Sequence, residues 1–222
     1  MRILIFSDSH LYLPVDEKKL EFLKKIIKSS DRVIINGDFY DSYMIKFDEF
    51  INSRWNELFP LLKSKKAIYI YGNHDARKSS DKRSELFSEI QAERYKIKTP
   101  TRTFIFEHGQ KTRVTADVSH NIEWKYLHMA IVIGHFMRGL MVLLFGKLFL
   151  WLRFSYRNNN SKKRIAKMYG PAENEVYVIG HNHWGEVDLK NNFAASGAIL
   201  YGYAQYLTIE DGVITLHEGW YK

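Results

Sequence analysis

Side chains able to hold a metal ion or move a proton occur in this chain as five short clusters. They are Asp8 and His10; Asp38; Asn73, His74 and Asp75; His108; and His181 and His183. Each cluster follows an apolar, strand-like run and precedes a turn. Imidazole, carboxylate and amide oxygen are the donors expected of a Mn, Fe or Zn site, and one carboxylate can bridge two ions. Any single histidine of the set could be a surface residue or a satisfied core residue. Their joint placement at strand ends is what points to a metal centre. The chain has no cysteine, which excludes disulfides and thiolate ligands and suits a cytoplasmic protein.

The elements that must carry these clusters can be read from hydrophobic spacing. Arg2 to Phe6, Arg32 to Asn36 and Ala67 to Tyr71 read as buried strands. Asp16 to Ser30 has Leu20, Leu23, Ile26 and Ile27 at helical spacing, and Phe47 to Lys63 reads as a second helix. Three strand–loop–helix units in succession imply an α/β sheet that is at least partly parallel. Loops at the carboxyl ends of such strands gather on one edge, where ligands bind. In the second half, Thr103 to Phe106 leads to His108 and Glu175 to Ile179 leads to His181. Short strands follow at 185–189, 193–196, 204–209 and 213–217, with hairpin turns expected at Asn191-Asn192 and Asp211-Gly212.

The ordered motifs Asp8-x-His10, Gly37-Asp38-x-x-Asp41, Gly72-Asn73-His74-Asp75, His108-Gly109 and Gly180-His181-x-His183 resemble the signature of the calcineurin-like metallophosphoesterases over nearly the whole chain. The resemblance implies a two-sheet αββα sandwich and two divalent ions, with Mn expected and Fe or Zn as alternatives. It implies that Asp8, His10 and His183 hold one ion, that Asn73, His108 and His181 hold the other, and that Asp38 bridges them. His74 then protonates the leaving oxygen, Asp75 orients His74, and Asp41 supports the ligands. Arg77 is a candidate contact for substrate phosphate, with a merely solvated arginine as the alternative. The activity implied is hydrolysis of a phosphodiester or pyrophosphate bond. A non-catalytic metal-binding scaffold is the alternative, as in family members that have lost catalytic residues.

At 222 residues the chain fits one domain, residues 1–222, with an insert at about 120–170. The net charge of +8 belongs to that insert: from Lys125 to Ala172 there are nine Lys or Arg and no Asp or Glu. Such a segment attracts anionic lipid, nucleic acid or a phosphorylated ligand. The apolar run at the N-terminus is too short for a signal peptide, so the protein is expected to stay where it is made.

The insert is also apolar from Tyr126 to Phe154. Arg138 and Lys147 interrupt every window of about 20 residues, the length a membrane span needs, and Gly134, Gly139 and Gly146 weaken a straight helix. The expectation is therefore one or two helices lying over the metal edge as a lid. Their apolar residues would pack on the sandwich, form a homo-oligomer interface, or face an anionic membrane through residues 126–167, with Phe149, Trp151 and Phe154 at that interface. A helical insert between these motifs is similar to that of the UDP-2,3-diacylglucosamine pyrophosphohydrolases, although many of those have Arg where this chain has His74. That similarity implies a lipid-linked substrate and a peripheral position at the inner face of the membrane. The other substrate class is nucleotides or nucleic acid, with Lys162, Lys163, Arg164 and Lys167 on phosphates.

Overall fold

The computed structural model describes residues 1–112 and 124–221, without the side chains of residues 124–128. Two sheets face each other. The first runs β10 (Ile199–Leu200), β11 (Tyr203–Glu210), β1 (Arg2–Phe6), β2 (Arg32–Asn36), β3 (Ile68–Ile70), β4 (Ile90–Ala92), with β12 (Val213–Trp220) also paired to β11. The second runs β5 (Arg94–Lys98), β6 (Thr103–Glu107), β7 (Glu175–Ile179), β9 (Phe193–Ser196), β8 (Gly185–Asp188). The neighbours β1, β2, β3 and β4 are parallel, as are β6, β7 and β9. Their carboxyl ends therefore open on one edge.

Alternation along the strands builds three apolar layers. Ile3, Ile5, Ile34, Ile68 and Ile70 meet Phe104, Phe106, Val176 and Val178 between the sheets. Leu4, Phe6, Val33, Ile35 and Tyr69 point the other way, onto α1 (Glu17–Lys28), α2 (Phe47–Asn52) and α3 (Phe59–Ser64). On the far side, Ile105, Tyr177, Ile179 and Phe193 take Ile165 of α5 (Tyr156–Tyr169). The expected αββα sandwich is what forms.

Two expectations are corrected here. Residues 47–63 do not make one helix but α2, a 3-10 turn at Arg54–Leu58, and α3. Ser53 is extended (φ −85°, ψ 170°) and its hydroxyl accepts from the Trp55 amide, so it caps a new turn instead of continuing the old one. The break swings Trp55 into the core, where its indole N–H donates to the Tyr12 carbonyl at 2.9 Å. Strands β4 and β5 were not expected either. Arg94–Lys98 is an edge strand with its charged residues exposed, so its apolar signal is only Tyr95 and Ile97.

The insert forms α4 (Trp124–Phe154) and α5. Gly146, at φ 55° and ψ −139°, breaks α4 into two helical parts. Residues 129–169 are the one stretch among the described residues long and apolar enough to cross a membrane, by length and composition alone. Little of it is covered by the sandwich. Val142, Leu150 and Phe154 pack on Tyr203, with Phe149 partly buried beside them. Phe136, Leu143, Leu144, Leu148, Trp151 and Leu152 are exposed, Leu143 by 70%. Phe154, expected at an outer interface, is instead buried, because its ring lies 5.2 Å from that of His183.

Burial separates what holds the fold from what does not. We predict that replacing Leu144, Leu148 and Trp151 together by Ser leaves the thermal melting temperature within a few degrees of the parent. Phe50→Ala, in the fully buried layer under α2, is expected to cost about 3–5 kcal/mol. A collapse of the triple variant in the same melting experiment would mean those side chains are core after all.

Candidate metal centre

The loops after β1 and β2 are zipped together by main-chain bonds: Asp8 N to Gly37 O, His10 N to Asp38 O and Leu11 N to Phe39 O, at 2.9–3.0 Å. Asp8, His10, Asp38, His181 and His183 all have positive φ, between 42° and 61°. Non-glycine residues rarely adopt this conformation, and it collects at functional sites. Here it reverses the chain immediately after each strand and turns the side chains toward one point. Gly37 must lack a side chain: a Cβ there would lie 2.3 Å from His108 Nδ1. At Gly72 a Cβ would lie 2.4 Å from the Asp38 amide nitrogen.

Two groups of ligand atoms result. In the first, His183 Nε2 is 3.2 Å and His10 Nε2 4.0 Å from Asp8 Oδ1. In the second, His108 Nε2 is 3.1 Å from Asn73 Oδ1, and His181 Nδ1 is 2.8 Å from the same oxygen. Asp38 Oδ2 lies between them, 3.1 Å from His108 Nε2 and 3.7 Å from His10 Nε2. All seven of these residues are thus brought to one edge of the sandwich.

The chemistry of this set fits two divalent ions. His10 Nε2, His181 Nε2 and His183 Nδ1 are buried and have no hydrogen-bond partner among the described residues. Burial pushes His181 down to about 3 and His183 down to about 4, so both rings are neutral and able to ligate. Burial disfavours charge on His108 too, but Asp38 and Asp8 outweigh it and raise that ring to about 10, so His108 must give up a proton to ligate. His108 donates from Nδ1 to the Asn36 carbonyl at 2.9 Å, and His10 Nδ1 is 3.2 Å from Asp41 Oδ2. Each second nitrogen is thereby fixed and the Nε2 lone pair aimed inward.

Asp41 has a larger part than the sequence reading gave it. One of its oxygens meets His10, and the other lies 2.9 Å from His74 Nδ1. Asp75, expected to orient His74, instead accepts from the amides of Asp38, Phe39 and Gly72 at 2.6–3.0 Å. It fixes the two loops rather than the ring. Burial disfavours charge on His74, but Asp38 and Asp41 outweigh it and raise the ring to about 9. Burial, with the Asp38 charge added, raises Asp75 to about 6. Arg77 is exposed on the 3-10 turn beyond this loop.

Three contributors escaped the sequence reading. Asn182 donates to Asn158 Oδ1 and Ser161 Oγ, both at 2.9 Å, and Asn158 donates to the Trp184 carbonyl at 3.1 Å. Helix α5 thus clamps the loop that carries His181 and His183. The signal was there, as a polar inward stripe in a helix chosen for its charges. Lys162, expected on substrate phosphates, is bonded to Glu186 at 2.7 Å and Asp188 at 2.8 Å.

A family model described as calcineurin-like phosphoesterase matches residues 1–202. No curated protein matches the chain. Among solved structures, an archaeal phosphodiesterase is 17% identical with a TM-score of 0.47, covering 98% of this chain and 99% of its own. The phosphoesterase Yfce of E. coli is 14% identical with a TM-score of 0.48, covering 96% of this chain and 91% of its own. Vps29 of Entamoeba histolytica, solved with zinc, is 13% identical with a TM-score of 0.48, and both chains are covered completely, at 100%.

The bridging position of Asp38 generates a measurable expectation. Protein loaded with Mn and desalted should carry two ions per chain, and Asp38→Ala should carry fewer than one, because both groups lose a shared donor. Asp41→Asn should keep both, since it touches the rings from behind. Elemental analysis that finds two ions in Asp38→Ala would remove it from the centre.

Proposed function

The chain belongs to the calcineurin-like phosphoesterase family, and on that premise we propose that it hydrolyses a phosphodiester or pyrophosphate bond in a lipid-linked substrate at a membrane surface. It is a metal-dependent phosphoester hydrolase. The observation that carries the assignment of residues is the convergence of Asp8, His10, Asp38, Asn73, His108, His181 and His183 from five loops onto one edge. Asp8, His10 and His183 would hold one divalent ion, Asn73, His108 and His181 the other, and Asp38 both. When bound, such a pair supplies an activated water and neutralises charge on the phosphoryl oxygens. Mn suits this nitrogen- and oxygen-rich set, with Fe or Zn as alternatives.

The protein's own part is positional. His74 is a quarter exposed, more than His183 or the buried Asp8, His10 and Asp38, and its Nδ1 is tied to Asp41. The charges of Asp38 and Asp41 keep it protonated, so its Nε2 can give a proton to the departing oxygen. Arg77 is close enough in sequence to meet a large substrate but touches none of the ligands, so its role stays subordinate.

The lipid-linked reading is supported by the outer face of α4. Its exposed residues between Met129 and Leu152 are almost wholly apolar, and Lys147 is paired with Glu218. Arg153 at the end of α4 and Lys163 and Lys167 of α5 are exposed as well. A face of this kind suits the anionic cytoplasmic leaflet, which supports a peripheral position there. The break at Gly146 and the inward placement of His135 favour a helix lying on the bilayer over one crossing it. Engagement of Lys162 with Glu186 and Asp188 weighs against a nucleic-acid surface on α5.

Two outcomes are expected. His74→Ala should retain its metal and lose about 10²–10⁴-fold in turnover of a diester with a poor leaving group; unchanged turnover would deny it the acid role. In flotation with phosphatidylglycerol vesicles the parent should rise with the lipid, and the Leu144, Leu148 and Trp151 to Ser variant should not. A parent that stays in the dense fraction would end the membrane reading. Loss of a dimer in the variant would assign the face to a second copy.

A further inference from the structure

The apolar layer between the sheets stops short of the metal edge. Ser7 follows Ile3 and Ile5 at the spacing of two that faces between the sheets, and Ser196 follows Ala194 of β9 in the same way. Both serines are fully buried. A buried hydroxyl costs free energy unless it is bonded, and these two meet each other across the sandwich, with their oxygens 2.6 Å apart.

Ser7 Oγ also donates to Asp8 Oδ2. Each hydroxyl has a single proton to give. The other acceptors in reach are the Gly197 carbonyl, 3.1 Å from Ser7 Oγ, and the Ile179 carbonyl, 3.2 Å from Ser196 Oγ. A carboxylate is a stronger acceptor than either. With the Ser7 proton on Asp8, the 2.6 Å contact takes the Ser196 proton, so the chain of donors runs from Ser196 to Ser7 to Asp8. Gly180 keeps the space for it: a Cβ there would lie 2.6 Å from Ser7 Oγ and 2.7 Å from Asp8 Oδ2.

The two oxygens of Asp8 are thereby made different. Oδ2 accepts from Ser7 and, at 2.9 Å, from the His181 amide. Oδ1 is 3.1 Å from that amide and faces the imidazoles, 3.2 Å from His183 Nε2 and 4.0 Å from His10 Nε2. We propose that Ser7, backed by Ser196, is a positioning residue that keeps Asp8 a one-oxygen ligand and so sets which divalent ion the Asp8, His10 and His183 position prefers. The proposal rests on the ligand assignment given above for that position. One carboxylate oxygen beside two imidazoles keeps the coordination number low, which favours Zn. A carboxylate that gives both oxygens raises it, toward the octahedral arrangement of Mn. Ser7 therefore tilts this position toward Zn relative to Mn.

The test compares the full chain with its Ser7→Ala and Ser196→Ala variants after dialysis against Co, or against Zn and Mn in competition. All three proteins are expected to hold two Co ions per chain. The visible absorption of bound Co is stronger at lower coordination number, so it should weaken in Ser7→Ala and weaken less in Ser196→Ala. Elemental analysis of the competition should show the Zn-over-Mn preference falling about tenfold in Ser7→Ala, the low end of what removing the group behind a metal ligand costs. Thermal melting is measured beside both. A lower melting temperature with an unchanged Co spectrum and an unchanged Zn-to-Mn ratio would make Ser7 a structural residue and overturn the proposal, as would a shift toward Zn. If Ser7→Ala does not fold, Ser196→Ala decides, and an unchanged spectrum there overturns it. A parent holding fewer than two Co ions would strike the ligand assignment and this proposal with it. Two ions in the parent and no change in the variants would strike the role of Ser7 alone.

Discussion

Four carboxylates, those of Asp8, Asp38, Asp41 and Asp75, are buried in one cluster of loops, each no more than 1% exposed. Taking a carboxylate out of water costs several kcal/mol unless something answers its charge. Asp75 is answered by three backbone amides, and Asp41 by two imidazoles. Asp8 meets the His181 amide, the Ser7 hydroxyl and the His183 ring, and Asp38 the His74 amide and the His108 ring. Among the described residues the ion-pair partners of Asp8, Asp38 and Asp41 are all histidines, never Lys or Arg. A fixed guanidinium would have closed the site. Histidines leave the positive charge to be supplied by ions, and the rest of the architecture follows from that requirement.

Holding those groups in place draws on the stability of the sandwich. Five ligand residues sit at positive φ, a conformation that costs of order 1–3 kcal/mol each where it is strained. The main-chain bonds between neighbouring loops and the Asn36 amide on the Val178 carbonyl, at 3.0 Å, tie both sheets to the same edge. Behind them stand three apolar layers, so the strain is local and the support is global. This is why the ligand loops need no cross-link, in a chain without cysteine.

What was legible in the sequence was whatever repeats with a short period or sits in a tight motif. Apolar runs marked β1, β2, β3, β6 and β7, and each ended in a ligand cluster. The ligands themselves follow those runs within a few residues, so no knowledge of long-range contacts was needed to find them. Partners brought in by tertiary folding were not legible. Nothing local says that Asp41, and not Asp75, meets the His74 ring, because a residue next in sequence to a ring points elsewhere when its own loop needs capping. The same holds for Lys162, whose partners Glu186 and Asp188 lie on β8, beyond the intervening strand β7. Ser53 ended a helix through its own cap, a local signal that the apolar spacing of residues 47–63 concealed. Phe154 was grouped with Trp151 by composition, although Phe154 is buried beside His183 while Trp151 stays exposed.

The insert inverts the usual amphipathic order. A surface helix normally turns apolar residues in and polar residues out, but α4 turns His135 toward Tyr201 and Asp41 and leaves Phe136, Leu143, Leu144 and Leu148 in the open. Among the described residues it is attached through Val142, Leu150 and Phe154, the His135–Tyr201 hydrogen bond and the Lys147–Glu218 pair. Were α4 a buttress of the sandwich, its apolar side would be spent there and the polar side would face water. Helix α4 instead keeps its apolar face free and brings His135 toward the metal edge.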